Sequence, residues 1–458
     1  MPMLVIGVAV GWAAYGAGWP GSAPGPAWQW YGAATAQALV ALVGWCASAW
    51  ALRGIQRRSA LPLRTAQRFF GLAPLLLLAG FVWQLRSGLD WAAPGAVLAP
   101  VLAMVPTGCC AAAVIAVRYP MDRRLYEADL FRRADAGLAI YPPASFGRYV
   151  VRRLRDELLA LAAPLVLLAT ASVGVMRVVE AGGAPEPWPT AAGWASAGVV
   201  FALTPLLLVR VWRTTPATRG EVGGRLQAIA ERAGFAKLRI RLWHTDGGMI
   251  NALAMGLLPR FRFVLLTDGL IERLTARQTD LVLAHELGHI RRGHLVWLLV
   301  AALGAGVAAE LATWAVARGL RSMASTPAWF NDDALLGLAV VLWLSLLGVA
   351  SRRFERQADA FAVVEASREE DGGLPSACSA VGARDYAGTL AAVGEAHHAS
   401  LRRWTWRHGS LAGRMERAMA LVGQRPGRTS ADRSAGWVKV LSLLMLAVGV
   451  AWWAWLSR

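Results

Sequence analysis

The chain is poor in cysteine. Only four cysteines occur among 458 residues, and no two of them have a spacing typical of a metal site. Cys46, Cys109 and Cys110 lie in apolar segments, where a small hydrophobic side chain is the ordinary expectation, and Cys378 lies in a loop. We therefore expect neither a cysteine-ligated metal nor a structural disulfide.

Lysine is almost absent, although the chain is strongly basic. Lys237 and Lys439 are the only lysines, and the excess of arginine gives a formal net charge of +18. Such a charge can indicate a nucleic-acid partner, but no nucleic-acid-binding signature accompanies it. The arginine-rich loops are explained by membrane orientation and by attraction to anionic lipid headgroups. We predict membrane lipids, and no nucleic acid, as partners.

Charged residues are scarce as a class, at 17% of the chain, whereas hydrophobic residues make up 56%. Several apolar runs approach or reach the roughly 20 residues needed to cross a bilayer. The predicted spans are 3–19, 33–52, 69–85, 92–117, 158–176, 189–211, 295–317, 333–350 and 437–456. The first run lacks a basic flank and a small-residue cleavage site, so we expect an uncleaved span rather than a signal peptide.

Arginine is distributed unevenly among the segments between these spans. Segments 53–68 and 118–157 are rich in arginine, whereas loops 20–32 and 178–188 contain neither lysine nor arginine. Loop 318–332, with two arginines, is the weakest point of the pattern. The positive-inside rule places four segments in the cytoplasm of a cell (inner) membrane protein: 53–68, 118–157, 213–294 and 351–436.

The most informative motif is HELGH at residues 285–289, within an apolar run that suits a helix. On a helix, His285 and His289 lie one turn apart on the same face. Two imidazoles so placed can hold one Zn²⁺ at roughly 2.0–2.1 Å each. Glu286 would lie beside the metal, where it could take a proton from a nearby water. The alternative is a surface helix with two unrelated histidines.

A second acidic pair follows in the segment SRRFERQADAFA at residues 351–362. Hydrolytic zinc sites of this kind need a third protein ligand, and Glu355 is the natural candidate. Asp359, one turn later, could accept the spare N–H of a ligating histidine and fix its tautomer. Taken alone, the pair would be read as a solvated helix face. Together with HELGH it predicts one Zn²⁺ per chain.

These two motifs together resemble the membrane-embedded zinc metallopeptidases that include HtpX and the type I CAAX prenyl endopeptidases. NALAMG at 251–256, followed by RFVLLTD at 262–268, resembles the stretch before the family's catalytic helix. HGSLAGRM at 408–415 resembles its HPxxxxRI signature, with Gly409 in place of proline and Met415 in place of isoleucine. The resemblance covers roughly residues 214–422.

The resemblance implies roles for four further residues. The strand near Asn251 and Ala252 would pair with an extended substrate backbone. His408 could stabilise the oxyanion of the reaction, or equally be a structural histidine that docks the C-terminal segment. Arg414 could pair with a carboxylate near the site. Of the remaining histidines, His294 fits no ligand pattern and is interpreted as an interfacial polar residue.

The sequence thus predicts a multi-pass α-helical membrane protein with a small α+β zincin catalytic domain. Within that domain we expect a helix at 221–233 and strands at 238–243 and 261–266. The predicted divisions are a membrane domain at 1–212, a cytoplasmic zincin segment at 213–294, a membrane hairpin at 295–350, a cytoplasmic segment at 351–436 and a final span at 437–458.

The predicted function is that of an integral-membrane zinc metalloendopeptidase. Its substrates would be membrane or membrane-associated proteins or peptides, cut on the cytoplasmic side during quality control or processing. The alternative is a non-proteolytic zinc-binding membrane scaffold or sensor. An intact Glu286 argues against a scaffold, because a structural zinc site needs no general base. The short predicted outer loops argue against a sensor.

Overall fold

The computed structural model describes residues 27–57, 59–88, 99–185, 188–217, 220–321, 332–368, 373–397 and 400–456. The predicted span at 3–19 and most of loop 318–332 lie outside these ranges. The chain folds into two compact units, Met1–Arg213 and Thr214–Arg458.

All secondary-structure elements in the described part of the first unit are helices. Its helices are α1 (Ala27–Gln56), α2 (Ala60–Gly88), α3 (Ala99–Asp135), α4 (Phe146–Arg153), a π-helical turn (Leu154–Leu159), α5 (Ala160–Ala181) and α6 (Trp188–Val211). Helices α1, α2 and α3 share a core in which the small side chains of Ala51, Ala66 and Ala73 surround Phe70 and Met121. Small residues let helix backbones approach closely, which is how helices associate where the surroundings are as apolar as the interior.

The second unit combines a small sheet with helices. Its elements are β1 (Thr214–Pro216), α7 (Gly220–Arg232), β2 (Arg239–Trp243), β3 (Ala252–Met255), β4 (Phe263–Thr267), α8 (Asp268–Arg273), α9 (Ala276–Arg291), α10 (His294–Arg321), α11 (Asp332–Ala366), α12 (Ala380–Ala396), α13 (Leu411–Met419) and α14 (Ser430–Leu456). The strand order is β1-β2-β4-β3, with β2 and β4 parallel and the other two pairs antiparallel. Strand β3 therefore forms an edge of the sheet.

Strand β4 is buried along its whole length and carries the core of this layer. Leu266 of β4 belongs to a cluster with Leu226 and Ile229 of α7 and with Leu283 and Leu287 of α9. Helices α7 and α9 thus pack on the sheet through apolar side chains, as in a two-layer α+β fold. This packing fixes α9, the helix that carries HELGH, relative to the edge strand.

Five helices of the described residues are long and apolar enough to cross a membrane, by length and composition. They are Tyr31–Gln56, Trp188–Val211, His294–Leu320, Ala334–Ala366 and Ser430–Trp452. With the small sheet, they confirm the predicted fold class of a helical membrane protein that carries an α+β layer. The predicted runs at 69–85, 92–117 and 158–176 coincide with or overlap α2, α3 and α5, and as spans they stay predictions.

Candidate metal centre

Helix α9 presents the two histidines of HELGH on one face. The helix starts at a capping box, in which Thr275 accepts a hydrogen bond from the Gln278 backbone and the Gln278 side chain accepts one from the Thr275 backbone. The Nε2 atoms of His285 and His289 lie 3.2 Å apart. The two ligand-type nitrogens therefore face one point in space.

Helix α11 approaches α9 most closely at the glycine of HELGH. A side chain at Gly288 would place its Cβ 3.1 Å from the Cα of Ala358 and 3.0 Å from the Cβ of Phe361. A Cβ at this position would be in tighter than ordinary contact, so a neighbouring group would have to shift by a few tenths of an ångström. The close approach brings Glu355 to the histidines. The three residues form a group whose ligand atoms all lie within 4.8 Å of one another.

The spacing of the three donors fits a small tetrahedral cation. Glu355 Oε2 is 3.6 Å from His285 Nε2, and Glu355 Oε1 is 3.7 Å from His289 Nε2. Two ligands that each lie 2.0–2.1 Å from a tetrahedral zinc are about 3.3 Å apart, so only small movements are required. Two imidazoles and one carboxylate are also the ligand set of many hydrolytic zinc sites.

The carboxylate of Glu355 is buried, with 3% of the residue exposed. Among the described residues its Oε2 atom has no hydrogen bond of acceptable geometry, although His408 Nδ1 lies 2.8 Å away. A buried carboxylate oxygen in this state is costly unless a positive charge faces it. The orphaned oxygen therefore supports a cation between Glu355 and the two histidines.

The second ring nitrogen of His285 faces a buried network on three other elements. Its Nδ1 lies 3.1 Å from Asp359 Oδ1 and 3.0 Å from the Tyr386 hydroxyl. Tyr386 donates to Asp359 at 2.6 Å, and Arg414 donates to both Asp359 oxygens, at 3.0 and 2.6 Å. Burial raises the pKa of Tyr386 well above its usual value, so its hydroxyl remains a donor at neutral pH.

The second ring nitrogen of His289 faces another histidine. His289 Nδ1 lies 2.9 Å from His294 Nδ1, on the first residue of α10. The interpretation of His294 as an interfacial polar residue stays a prediction, and the structure adds that the residue is 3% exposed and lies directly behind a candidate ligand. Sequence spacing excluded His294 as a ligand but could not show that the chain turns at Gly293, where φ is +63°, and brings the ring back onto His289.

Glu286 follows the first candidate ligand in the chain and contacts the edge strand. Its Oε2 accepts a hydrogen bond from the backbone N–H of Ala254 at 2.7 Å. Burial raises the pKa of Glu286, although His285 and the Ala254 N–H both act to lower it. A carboxylate with a raised pKa is a stronger base, which suits a group that must take up a proton near neutral pH.

The pKa values of the two histidines of α9 are shifted in opposite directions. Burial lowers the pKa of His289 well below its usual value and keeps the ring neutral. Burial also acts to lower the pKa of His285, but hydrogen bonds to Asp359 and Glu355 outweigh it and raise that pKa to about 9. His285 therefore carries a proton that a metal ion would have to displace, so metal binding is coupled to proton release.

The register of β3 decides which backbone groups face the open edge of the sheet. Asn251 donates its N–H to the Thr267 hydroxyl and accepts from the Thr267 N–H, so its backbone is already used by β4. Because pairing groups alternate along an antiparallel strand, the groups of Ala252 and Ala254 face the free edge. Substrate binding by Asn251 and Ala252 stays a prediction, in which Ala252 can offer its backbone at the free edge.

The segment that contains His408 is a small turn closed by a bridge between Thr405 and Gly409. Gly409 has a φ of +74°, a conformation that proline cannot adopt. The backbone conformation of this turn therefore explains why glycine stands at position 409, where the HPxxxxRI signature has proline. The turn places the His408 ring, with 44% of its side chain exposed, against Glu355.

Comparisons with known proteins agree with this geometry. Residues 216–419 match the sequence pattern of peptidase family M48. The chain is similar to the protease HtpX homologues of Ralstonia pickettii (strain 12J), with 32% identity over 117 residues, and of Ralstonia nicotianae, with 34% over 137 residues. The first match covers 26% of this chain and 39% of the relative, and the second covers 29% and 46%.

The region that carries the candidate metal centre is therefore similar to peptidase family M48. The chain spans less than half the length of these two relatives. A comparison of solved structures finds the crystal structure of S. mikatae Ste24p, with a TM-score of 0.43 and 14% identity, over 84% of this chain and 98% of the other. The predicted resemblance to this family is confirmed.

The matched M48 region contains every site residue that the sequence analysis named. The structure brings His285, His289, Glu355 and His408 together, and it places Asp359 and Arg414 behind His285. Sequence reasoning missed Tyr386. Its isolated position in RDYAG gives no local pattern, and only the packing of α12 against α9 and α11 brings its hydroxyl to the site.

Proposed function

We propose that this protein is an integral-membrane zinc metalloendopeptidase. The observation that carries the proposal is the convergence of His285, His289 and Glu355 on one point, with Glu286 beside them and hydrogen-bonded to an edge strand. Three protein ligands and an open side are typical of a hydrolytic zinc site rather than a structural one. The M48 match in the same residues supports a peptide-bond substrate.

Different side chains of the site carry out metal binding and proton transfer in the proposed reaction. His285, His289 and Glu355 would hold the zinc, which would supply Lewis-acid polarisation of the scissile carbonyl and activation of a water. Glu286 takes the proton from the attacking water on its carboxylate and then passes it to the leaving amine. Its hydrogen bond from the Ala254 N–H holds the carboxylate next to the edge strand to which the substrate would pair.

Substrate binding is assigned to the free edge of β3. An extended peptide would pair there with the backbone of Ala252, and with the Ala254 carbonyl, as an added strand. The Asn251 side chain lies at the start of the strand and would contact the same peptide. Pairing of this kind uses only backbone groups, so selectivity would come from side-chain pockets.

The remaining residues support the ligands. His285 Nδ1 contacts both the Tyr386 hydroxyl and Asp359, and Asp359 is itself held by Tyr386 and Arg414, so the ring would turn its Nε2 toward the metal. His408 contacts the ligand Glu355 and leaves part of its ring exposed toward solvent. That position is compatible with a second role as a donor to the oxyanion of the scissile carbonyl.

The proposed substrates are membrane proteins, membrane-associated peptides or lipid-modified chains. Helix α11 continues without a break from a candidate span to Ala366, so Glu355 and Asp359 stand on a membrane-spanning helix. A site so placed would act at the membrane surface. With the arginine-rich segments in the cytoplasm, cleavage would serve quality control or processing of membrane proteins on that side of the inner membrane.

Metal removal is the direct test of this function. Purified protein in detergent should lose hydrolysis of an unstructured protein substrate when zinc is removed with a chelator. Activity should return when about one zinc per chain is added back, because one cluster of three ligands occurs among the described residues. Zinc should also raise the melting temperature, since a ligand that binds only the folded state stabilises it.

The control is the same protein treated with chelator already saturated with zinc, which should keep its activity. Hydrolysis that persists after complete metal removal, measured by elemental analysis, would contradict the proposal. Zinc binding without any hydrolysis would instead favour the scaffold alternative.

Topology can be tested by cysteine accessibility in intact cells, in a chain whose four native cysteines are replaced. The predicted outer loop contains Gly183, but its φ of +76° would strain a cysteine placed there. The nearby exposed residue Ala181 is therefore used as the outer position. Ala181→Cys should react with an impermeant maleimide, and Lys237→Cys, also exposed on the protein surface, should react only after the membrane is permeabilised. Labelling of Lys237→Cys alone in intact cells would invert the orientation and place the site on the outer face.

A further inference from the structure

His294 is a buried polar residue behind the candidate metal centre. It is 3% exposed, and its ring stacks on Phe354 with centroids 5.0 Å apart and planes 15° apart. Buried polar groups in folded proteins are almost always hydrogen-bonded. Both ring nitrogens of His294 meet this expectation, and their partners lie on opposite sides of the ring.

These partners form a continuous chain of hydrogen bonds from the metal centre to the last helix. His289 Nδ1 and His294 Nδ1 are 2.9 Å apart, and His294 Nε2 and Gln357 Oε1 are 3.0 Å apart. Gln357 Nε2 then donates to Asp432 Oδ1 at 2.8 Å. Asp432 lies in the first turn of α14, so the relay joins α9, α10, α11 and α14.

The carboxylate at the end of this relay sets its direction. An ionised carboxylate can only accept, so the Gln357 amide must turn its NH₂ toward Asp432 and its oxygen toward His294. His294 must then donate from Nε2, and in a neutral ring this leaves Nδ1 as an acceptor. That acceptor receives the Nδ1–H of His289. The proton of His289 is thereby held on Nδ1, and the lone pair is left on Nε2, which faces His285 and Glu355.

Asp432 is firmly anchored at the far end. One of its oxygens accepts from the backbone N–H and the hydroxyl of Thr429, at 3.1 and 2.8 Å, at the start of α14. The other oxygen lies 3.0 Å from Arg292 Nη2. The charge that orients the relay is therefore paired with a cation and tied to a helix terminus.

We infer that His294 is a positioning residue that fixes the tautomer and ring orientation of His289 through the Gln357–Asp432 relay. The inference rests on the proposed metal function, because it assigns His289 Nε2 as the ligand atom. It makes the start of α14 part of the metal centre through Asp432. Outer partners of metal-bound histidines commonly contribute 10- to 100-fold to metal affinity.

The test compares two substitutions at position 294. His294→Phe keeps an aromatic ring against Phe354 but removes both nitrogens, so the His289 N–H loses its acceptor. We expect its zinc affinity, measured by competition with a chromogenic chelator, to fall about 10- to 100-fold. The absorption spectrum of the Co²⁺-substituted protein should shift as well. His294→Gln can accept with its oxygen and donate with its NH₂, and should recover most of the affinity.

The matched control is Thr313→Val, a buried residue of the same helix whose hydroxyl bonds only to the local carbonyls of Ala309 and Glu310. Its zinc affinity and cobalt spectrum should equal those of the wild type. If His294→Phe does not fold, Gln357→Met takes its place: it leaves His294 intact, breaks the relay one step further on, and should weaken zinc binding in the same direction.

Three outcomes would count against the inference or its basis. The inference is overturned if the folded relay variants keep the zinc affinity and the cobalt spectrum of the wild type. Equal loss in His294→Phe and His294→Gln also overturns it, because the role would then be one of shape alone. A wild-type protein that binds no zinc overturns the proposed metal function itself, and so the two failures are distinguishable.

Discussion

Replacing Glu286 by Gln should lower the rate of peptide hydrolysis by about 10²- to 10⁴-fold, the range typical of a lost general base. The amide cannot take up the proton of the attacking water. Its oxygen can still accept the hydrogen bond from the Ala254 N–H, at present 2.7 Å long, so the local structure should survive. Zinc content and melting temperature should therefore remain those of the wild type.

The control for this substitution is Glu221→Gln, which makes the same chemical change at an exposed position in α7. It should leave the hydrolysis rate unchanged. A purified Glu286→Gln protein that cuts a peptide at the wild-type rate would refute the assigned mechanism. Loss of zinc or of thermal stability in this variant would show that Glu286 has a structural role instead.

Replacing Glu355 by Ala should remove most of the bound metal when zinc is limiting. The substitution deletes one of the three proposed ligands, so the loss of affinity should exceed the 10- to 100-fold typical of an outer partner. It also removes the acidic group nearest both histidine Nε2 atoms, at 3.6 and 3.7 Å. The measurement is zinc per chain by elemental analysis after dialysis against a defined free-zinc buffer.

Glu365→Ala is the matched control, because Glu365 lies on the same helix and pairs with Arg368 away from the metal centre. It should retain one zinc per chain. Full zinc retention in Glu355→Ala would remove Glu355 from the ligand set and leave the two histidines without their third partner.

Local sequence patterns predicted much of the catalytic layer. The helix after Gly220, the strand Arg239–Trp243 and the buried strand Phe263–Thr267 lie within two residues of their predicted bounds. The helix follows a 3.6-residue apolar period that ends near Gly234, where φ is +84°, the first strand follows a two-residue period, and the second is a short continuous apolar run. These sequence patterns depend only on residues that are close in the chain, so they can be recognised without knowledge of the tertiary structure.

The candidate ligands could also be named from the sequence, for a different reason. His285 and His289 are placed by the geometry of one helix, and that spacing needs no tertiary information. Glu355 was paired with them by the resemblance of its segment to a known family. Its distance from the histidines depends on the close approach of two helices at Gly288, which the sequence permitted but did not state.

The groups behind the ligands were decided only by tertiary structure. Tyr386, His294 and Gln357 reach the centre from three helices, and no local periodicity links them. Only the register of β3 likewise shows that the backbone N–H and C=O of Asn251 bond to Thr267. The sequence by itself determined the membrane class, the motif helices and the ligand types, because each rests on composition or on spacing along one element. Only the packing of separate elements determined which nitrogen of each histidine faces the metal, because that choice depends on partners far apart in the chain.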